Sequence, residues 1–257
     1  MSLFRLEVKN ISRGKKHSLT SQVNYITGRS LHDAYNGKSY YKSRNDVLYH
    51  GVFLPDNSPD NFLDLQSLCQ HIDATEVRYD ARTGREFVCS LPNELCLDDL
   101  IDIVQEFASE NFVNHNLAVI AAIHSGTNPS DPSLNNPHAH IIVSTRTVTP
   151  DGFNKHKCRD FDRKSDIVRW RYEWAKILNR AYERNGLDIR VSCESLKKQG
   201  IDREPVNRLS FADWQREKRG IQTEAGDKRR QIIEKNQERT RQAERMYEYN
   251  YDLDLPY

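Results

Sequence analysis

Residues 117–124 read LAVIAAIH and residues 138–148 read HAHIIVSTRTV, with thirteen residues rich in Asn, Pro, Ser and Asp between them. Short apolar runs bounded by such breakers read as strands, and their order makes them an antiparallel hairpin with a long loop. Side chains on a strand repeat every two residues, so His138 and His140 share a face. Antiparallel pairing sets the end of the first strand beside the start of the second, with opposed Cβ atoms about 5 Å apart, and this delivers His124 to the pair. Three imidazoles from two adjacent strands suffice for a metal site with open coordination positions, the arrangement that Lewis-acid catalysis needs. Histidines are also common at strand ends, so the pattern alone divides about evenly between a metal site and ordinary strand-end residues. A closed structural zinc site would require a fourth ligand, and no Cys or His is obviously placed for it, although folding could bring in His115 or Cys89.

Outward from the hairpin, residues 84–91 read as a further strand stopped by Pro92, and Leu97, Leu100, Ile101, Val104 and Phe107 then recur with helical spacing. Residues 3–9 alternate as an opening strand, and Ser18 can cap a following helix. On that helix Leu19, Val23 and Ile26 form the apolar stripe, while Ser18, Ser21, Gln22, Tyr25 and Arg29 share the opposite face. Tyr25 thus sits off the stripe, where an aromatic is unusual. From Asp166 a strong helix carries Ile167, Trp170, Trp174, Ile177, Leu178 and Ala181 along one side and stops near Asn185-Gly186. Beyond about Trp214 the sequence turns to Glu, Gln, Lys and Arg, which predicts a solvated helix or a fraying tail, with Tyr247, Tyr249 and Tyr251 in an unstructured end. The expected organisation is one main domain over 1–212 and a charged, helical or partly disordered tail over 213–257.

The 257 residues are 37% hydrophobic and 29% charged, with a mean hydropathy of −0.80. This composition supports a buried core and fits neither a collagen-like nor a fully disordered chain. No apolar run approaches the roughly 20 residues of a membrane span, and the opening MSLFR lacks the apolar core of a signal peptide, so a cytoplasmic protein without membrane insertion is expected. Five cysteines without a C-x-x-C pair argue against a disulfide framework or zinc ribbon and for buried or inert thiols. Repeats of solenoid or propeller length are absent. The formal charge of +1 hides strong segmentation: residues 1–53 carry nine basic and three acidic residues, 54–111 three and thirteen, and 155–242 twenty-four and fifteen. Two basic flanks folded on one face would form a groove for a phosphate backbone.

The run Asn136-Pro137-His138-Ala139-His140-Ile141-Ile142-Val143-Ser144-Thr145-Arg146, followed by Pro150-Asp151-Gly152-Phe153, resembles the signature of the MobA/MobL (MobQ-type) plasmid relaxases. The resemblance extends over about residues 3–205, through Ile11-Ser12-Arg13, the Tyr25 segment, Leu91-Pro92, Glu94-Leu95, Trp174, Asn179, Ser195-Leu196 and the run from Gln199 to Pro205. It implies an α+β fold of the HUH endonuclease type, with a central antiparallel sheet flanked by helices and the histidine pair on a central strand. It also implies a nicking enzyme that attacks single-stranded DNA at a plasmid's origin of transfer through Tyr25. The resulting 5′-phosphotyrosine can be religated. His124, His138 and His140 would bind a divalent ion, Mn2+ or Mg2+, with Glu86 the acidic residue beside them. Arg13, Lys15, Lys16, Arg29, Arg146, Lys155 and Lys157 are the candidate phosphate contacts. Accessory mobilisation proteins and a type IV coupling protein are the partners the resemblance suggests. Two other classes are a DNA-binding or replication-initiation protein that does not cut, and a histidine-ligated metallo-phosphodiesterase.

Overall fold

Strands β6 (Leu117–His124) and β7 (His138–Thr149) pair antiparallel at the centre of a sheet, in the places the two apolar runs predict. Next to β7 lies β5 (Arg82–Ser90), then β1 (Leu6–Ser12); next to β6 lies β4 (Val47–Phe53), and every pairing is antiparallel. A short β8 (Gly152–Lys157) turns back on the far end of β7. The computed structural model describes residues 4–15, 18–41, 43–127, 135–207 and 209–253, without the side chains of residues 15 and 243–253. The opening strand runs over 6–12 rather than 3–9.

The central strands are apolar on both sides because helices cover both faces. Val119, Ala121, Ile123, Ala139, Ile141 and Val143 point toward α3 (Leu97–Asn111) and α4 (Lys164–Arg184) and join one core cluster with them. Phe87, Phe107, Phe112, Trp170 and Trp174 close that layer. Phe87 meets Trp170 edge to face at a centroid distance of 4.9 Å, and Phe107 meets Trp174 likewise at 5.0 Å, a geometry that adds to plain area burial. On the other face Ala118, Ile120, Ala122 and Ile142 pack with Leu19, Val23 and Ile26 of α1 (Leu19–Thr27) and with Leu68 and Ile72 of α2 (Leu65–Thr75). The period of two therefore sends His124, His138 and His140 to the α1 side.

Nine residues make a marginal helix in isolation, and α1 is held at both ends. Ser18 Oγ accepts from the Ser21 N–H at 3.1 Å, as its position before the apolar stripe predicts. Gly28 ends the helix at φ 67°, a left-handed conformation natural to glycine, and its N–H reaches Asn24 O at 2.8 Å. At the base of the β6–β7 connection Gly126 has φ 54°, and a Cβ there would stand 2.0 Å from Asn136 O. Only glycine permits that approach, which closes the two strands onto one another beside the histidines.

A two-stranded ribbon, β2 (Leu31–Asp33) and β3 (Lys38–Tyr40), follows α1. Neither it nor β4 and β8 has a clear periodic signal in the sequence, whereas α2 carries the helical spacing Leu65, Leu68, Cys69 and Ile72 behind an Asp64 cap. The chain divides into two compact units at Cys193/Glu194, ahead of the 212/213 boundary suggested by composition. The physical reason is local: the Glu204 N–H donates to Asn236 Oδ1 and Glu204 O accepts from Asn236 Nδ2, both at 2.8 Å. Residues near 204 thus belong with the terminal helices, α5 (Phe211–Lys218) and α6 (Glu224–Leu253). Residues 247–251 lie within α6, in place of the unstructured end expected for the three tyrosines. No helix of the described residues is long and apolar enough to cross a membrane.

Candidate active site

Because His124 lies directly opposite His138 in the β6–β7 ladder, with His140 one repeat further along, the three rings converge. Their centroids are 4.7–5.3 Å apart, and one ring nitrogen of each lies within 4.8 Å of the others. Each ring is also held from behind. Ile26 O lies 2.7 Å from His124 Nε2, Asn136 O 2.8 Å from His138 Nδ1, and Glu86 Oε1 2.8 Å from His140 Nδ1. A carbonyl or carboxylate can only accept, so these contacts put the proton on the outer nitrogen and leave the other as a lone pair.

Two of those lone-pair nitrogens, His124 Nδ1 and His140 Nε2, are buried with no hydrogen-bond partner among the described residues. His124 is 0% exposed and His140 7%. Burial pushes the His124 imidazole down to about 4 and also lowers His138, so both rings are neutral near neutral pH. Unpaired buried acceptors are costly. Three imidazoles oriented by the acceptors behind them form a donor set that fits a divalent transition ion and leaves coordination positions open.

Tyr25 projects from the outward face of α1 and is 39% exposed. Its ring meets His140 and His124 edge-on, at centroid distances of 6.0 and 6.3 Å. Above the ring lies the Arg44 guanidinium, 4.3 Å from the centroid, and it also donates to Tyr25 O at 3.3 Å. Asp46 anchors Arg44 through Nε to Oδ1 at 2.7 Å and a second, shorter Nη2–Oδ2 contact. The hydrogen bond from Arg44 holds the Asp46 carboxyl down at about 2. Asp46 Oδ2 is also 4.0 Å from His124 Nδ1, so an ionised carboxylate borders the imidazole cluster.

Glu86 is buried in line behind His140, and the Gln22 amide donates to the same Oε1 at 2.8 Å. Its carboxylate thus joins His140 to Gln22 of α1. Cys89 points to the opposite face of the sheet, and His115 packs on Phe161 at the other end of β6, so neither joins the three histidines. All five cysteines are free. Cys69 and Cys89 are buried as expected, whereas Cys96 is exposed.

The candidate DNA contacts are dispersed. Arg29 lies just past α1 and donates to His50 at 3.0 Å. Lys15 ends a short turn of helix, and Lys16 lies outside the described residues. Arg13 is spent internally: its guanidinium pairs with Asp73 Oδ1 at 2.9 Å and with backbone carbonyls of 73 and 76. Arg146 and Lys157 converge on the buried Glu76 at 2.8 and 3.0 Å. Burial alone would raise the Glu76 carboxyl, but hydrogen bonds from these two cations bring it below the ordinary range. Lys155 joins them around a cavity of about 480 Å³. Eight residues of strand separate Arg146 from His138, about 27 Å, so this group is remote from the imidazoles. Nothing in the sequence marks Arg44 or Asp46 for chemistry, and Gln22 is signalled only by its position three residues before Tyr25 on the same helix face.

The sequence model of the MobA/MobL family matches residues 17–219, most of the chain and all of the residues around the imidazoles. The chain belongs to the MobA/MobL family. It is 27% identical to a probable mobilization protein MobA of Bifidobacterium longum, over 92% of this chain and 48% of that protein. It is 26% identical to a mobilization protein MobL of Acidithiobacillus ferridurans, over 82% of this chain and 63% of the relative. The chain therefore spans about half to two thirds of the length of these MobA/MobL relatives. A solved structure concerned with vancomycin resistance transfer in Staphylococcus aureus is similar at a TM-score of 0.68 and 26% identity. The match covers 76% of this chain and 100% of that one. The α+β architecture is the one the MobA/MobL resemblance implies.

Proposed function

We propose that this chain is the relaxase unit of a plasmid mobilisation protein, nicking one strand of single-stranded DNA at an origin of transfer by tyrosine transesterification. The observation that carries the reading is Tyr25 set edge-on against His124 and His140 of three converging histidines, with a buried ring nitrogen of each of those two unpartnered among the described residues. The names of the MobA and MobL relatives support the biological setting.

His124, His138 and His140 would hold a divalent ion, Mn2+ or Mg2+. Such an ion supplies Lewis-acid polarisation of a phosphate oxygen and so stabilises charge that develops during displacement. Tyr25 supplies the nucleophile: its Oη forms a bond to the scissile phosphorus, the P–O3′ bond breaks, and the departing 3′ oxygen takes up a proton while the phenol loses its own to water. The strand keeps a 3′-hydroxyl and the protein a 5′-phosphotyrosine. One phosphoester replaces another, so the step is reversible and permits rejoining. Arg44 and Asp46 orient the Tyr25 ring, and Glu86, steadied by Gln22, orients His140. Arg29 and Lys15 are the proposed phosphate contacts nearest α1. Arg146, Lys155 and Lys157 would meet DNA only well away from the cleaved bond. The reaction belongs in the cytoplasm, where accessory mobilisation proteins and a coupling protein would meet the DNA-bound protein.

The test is direct. Incubated with Mn2+ and single-stranded origin DNA, the protein is expected to form an adduct that survives denaturant. Tyr25→Phe should bind the strand and form none. An adduct undiminished in Tyr25→Phe, or hydrolysis of a chromogenic phosphodiester that survives the substitution, rejects the mechanism and favours a metallo-phosphodiesterase.

A further inference from the structure

One helical turn before Tyr25, about 5.4 Å along the axis, the outward face of α1 opens into a second recess. It has a volume of about 530 Å³, within the roughly 300–1,000 Å³ of small-ligand sites. Ser21 and Gln22 form its α1 wall, Tyr35, Asn36, Tyr40 and Tyr79 stand across from them, and Arg13, Ser18 and Lys38 complete the lining. Tyr35 stands on the β2–β3 turn, which is fastened from below: Asp33 Oδ1 accepts from the Asn36 N–H at 3.0 Å and Asp33 Oδ2 from Asn36 Nδ2 at 2.7 Å. The Arg13 guanidinium lies 3.7 Å from the Tyr35 centroid, and Asp73 and two carbonyls hold it there. One face of the Tyr35 ring is thereby covered, yet the residue remains 51% exposed.

The chemistry of these walls selects for a flat heterocycle over a bare anion. Three phenol rings offer stacking surface, while Ser21, Gln22 and Asn36 offer neutral donors and acceptors. Of the two cations at the rim, Arg13 is already neutralised by Asp73, leaving Lys38. A phosphate site would present unspent positive charge; a base site presents π-faces and amides. Gln22 also links the recess to the imidazole cluster, since its amide donates to the Glu86 carboxylate that orients His140.

We propose that this recess is a nucleobase pocket: it takes one unpaired base, from a nucleotide adjoining the cleaved phosphate, and stacks it on the open face of Tyr35 in an Arg13–Tyr35–base sandwich. The inference rests on the reading of the protein as an enzyme of single-stranded DNA. Its consequence is that the bound base would fix the register of the strand over Tyr25.

The experiment uses the full chain and a single-stranded oligonucleotide selected by that chain from a random pool. A single abasic site is moved along the oligonucleotide, binding is read by fluorescence anisotropy, and the denaturant-resistant adduct is read separately on a gel. With the wild-type protein, removal of the base at one particular position is expected to weaken binding on the order of 10-fold. Tyr35→Ala should weaken binding of the intact strand by a similar factor and be indifferent to base removal at that position, while Tyr35→Phe should retain the wild-type pattern. Equal losses for Tyr35→Ala at every abasic position, or none at any, overturn the pocket. An adduct with no such coupling rejects the pocket and spares the relaxase reading. Coupling without an adduct does the reverse, and failure of the wild-type chain to retain any single strand rejects both.

Discussion

At the scale of single residues, the imidazole cluster depends on groups that do not themselves face the cavity. Glu86 lies on β5, and its carboxylate fixes the tautomer and rotation of His140 from the neighbouring strand. Outer-shell partners of this kind are typically worth 10–100-fold in metal affinity. Glu86→Gln keeps the size and an acceptor oxygen but loses the charge, so a roughly 10-fold fall in Mn2+ affinity is expected by titration calorimetry, with folding retained. Unchanged affinity would assign Glu86 to packing alone. The role of His138 and His140 as a pair on one face was legible from the spacing alone, because strand parity is local. The place of Glu86 came from a resemblance, and its contact with His140 depends on the β5–β7 register, which brings together residues 54 positions apart.

At the scale of elements, α1 carries the proposed nucleophile and owes its short, defined span to its two ends. Ser18 caps the first turn and also donates to the Asp33 carboxylate at the foot of β2. Ser18→Ala removes both contacts, and a loss of about 1–2 kcal/mol is expected. Urea unfolding should show this as a lower midpoint at an unchanged slope; an unaltered midpoint would show that the cap is dispensable. The cap, the apolar stripe and the off-stripe tyrosine are all readable from sequence, since each involves residues within one or two turns. The edge strand β4 is not. Its seven residues, VLYHGVF, lack clean alternation, yet the segment before it delivers Arg44 and Asp46 to Tyr25 and His124. Three-residue strands such as β2 and β3 are likewise too short to show a period.

At the scale of the whole molecule, the two helical layers exclude water from the sheet and so tune the charge state of the site. An unfolded histidine titrates near 6.5, whereas burial holds His124 down at about 4 in the folded protein. Between those values the unfolded chain binds a proton that the folded chain does not, so stability rises with pH across the window. This contribution is fully present above pH 6.5 and is lost progressively as pH falls toward 4; over the whole window it amounts to about 3 kcal/mol. The lowered His138 acts in the same direction. In metal-free protein, urea midpoints measured from pH 7 to pH 4 should therefore drop more steeply for wild type than for His124→Asn. Parallel profiles would contradict a buried neutral imidazole.

By itself the sequence determined that two apolar strands form a hairpin, that three histidines meet on one side of it, and that a capped helix holds Tyr25 off its apolar stripe. Those features follow from periods of two and 3.6 residues and from hydrogen bonds between near neighbours. Only the tertiary structure decided which helix covers which face, that Tyr25 meets the imidazoles edge-on beneath Arg44, that Arg146 and Lys157 are bound to the buried Glu76, and that Arg13 is bound to the half-buried Asp73. Those outcomes depend on strand order and on charges brought together from distant positions. A basic residue reads the same in sequence whether its partner is a DNA phosphate or Glu76; the distance to a carboxylate after folding tells them apart.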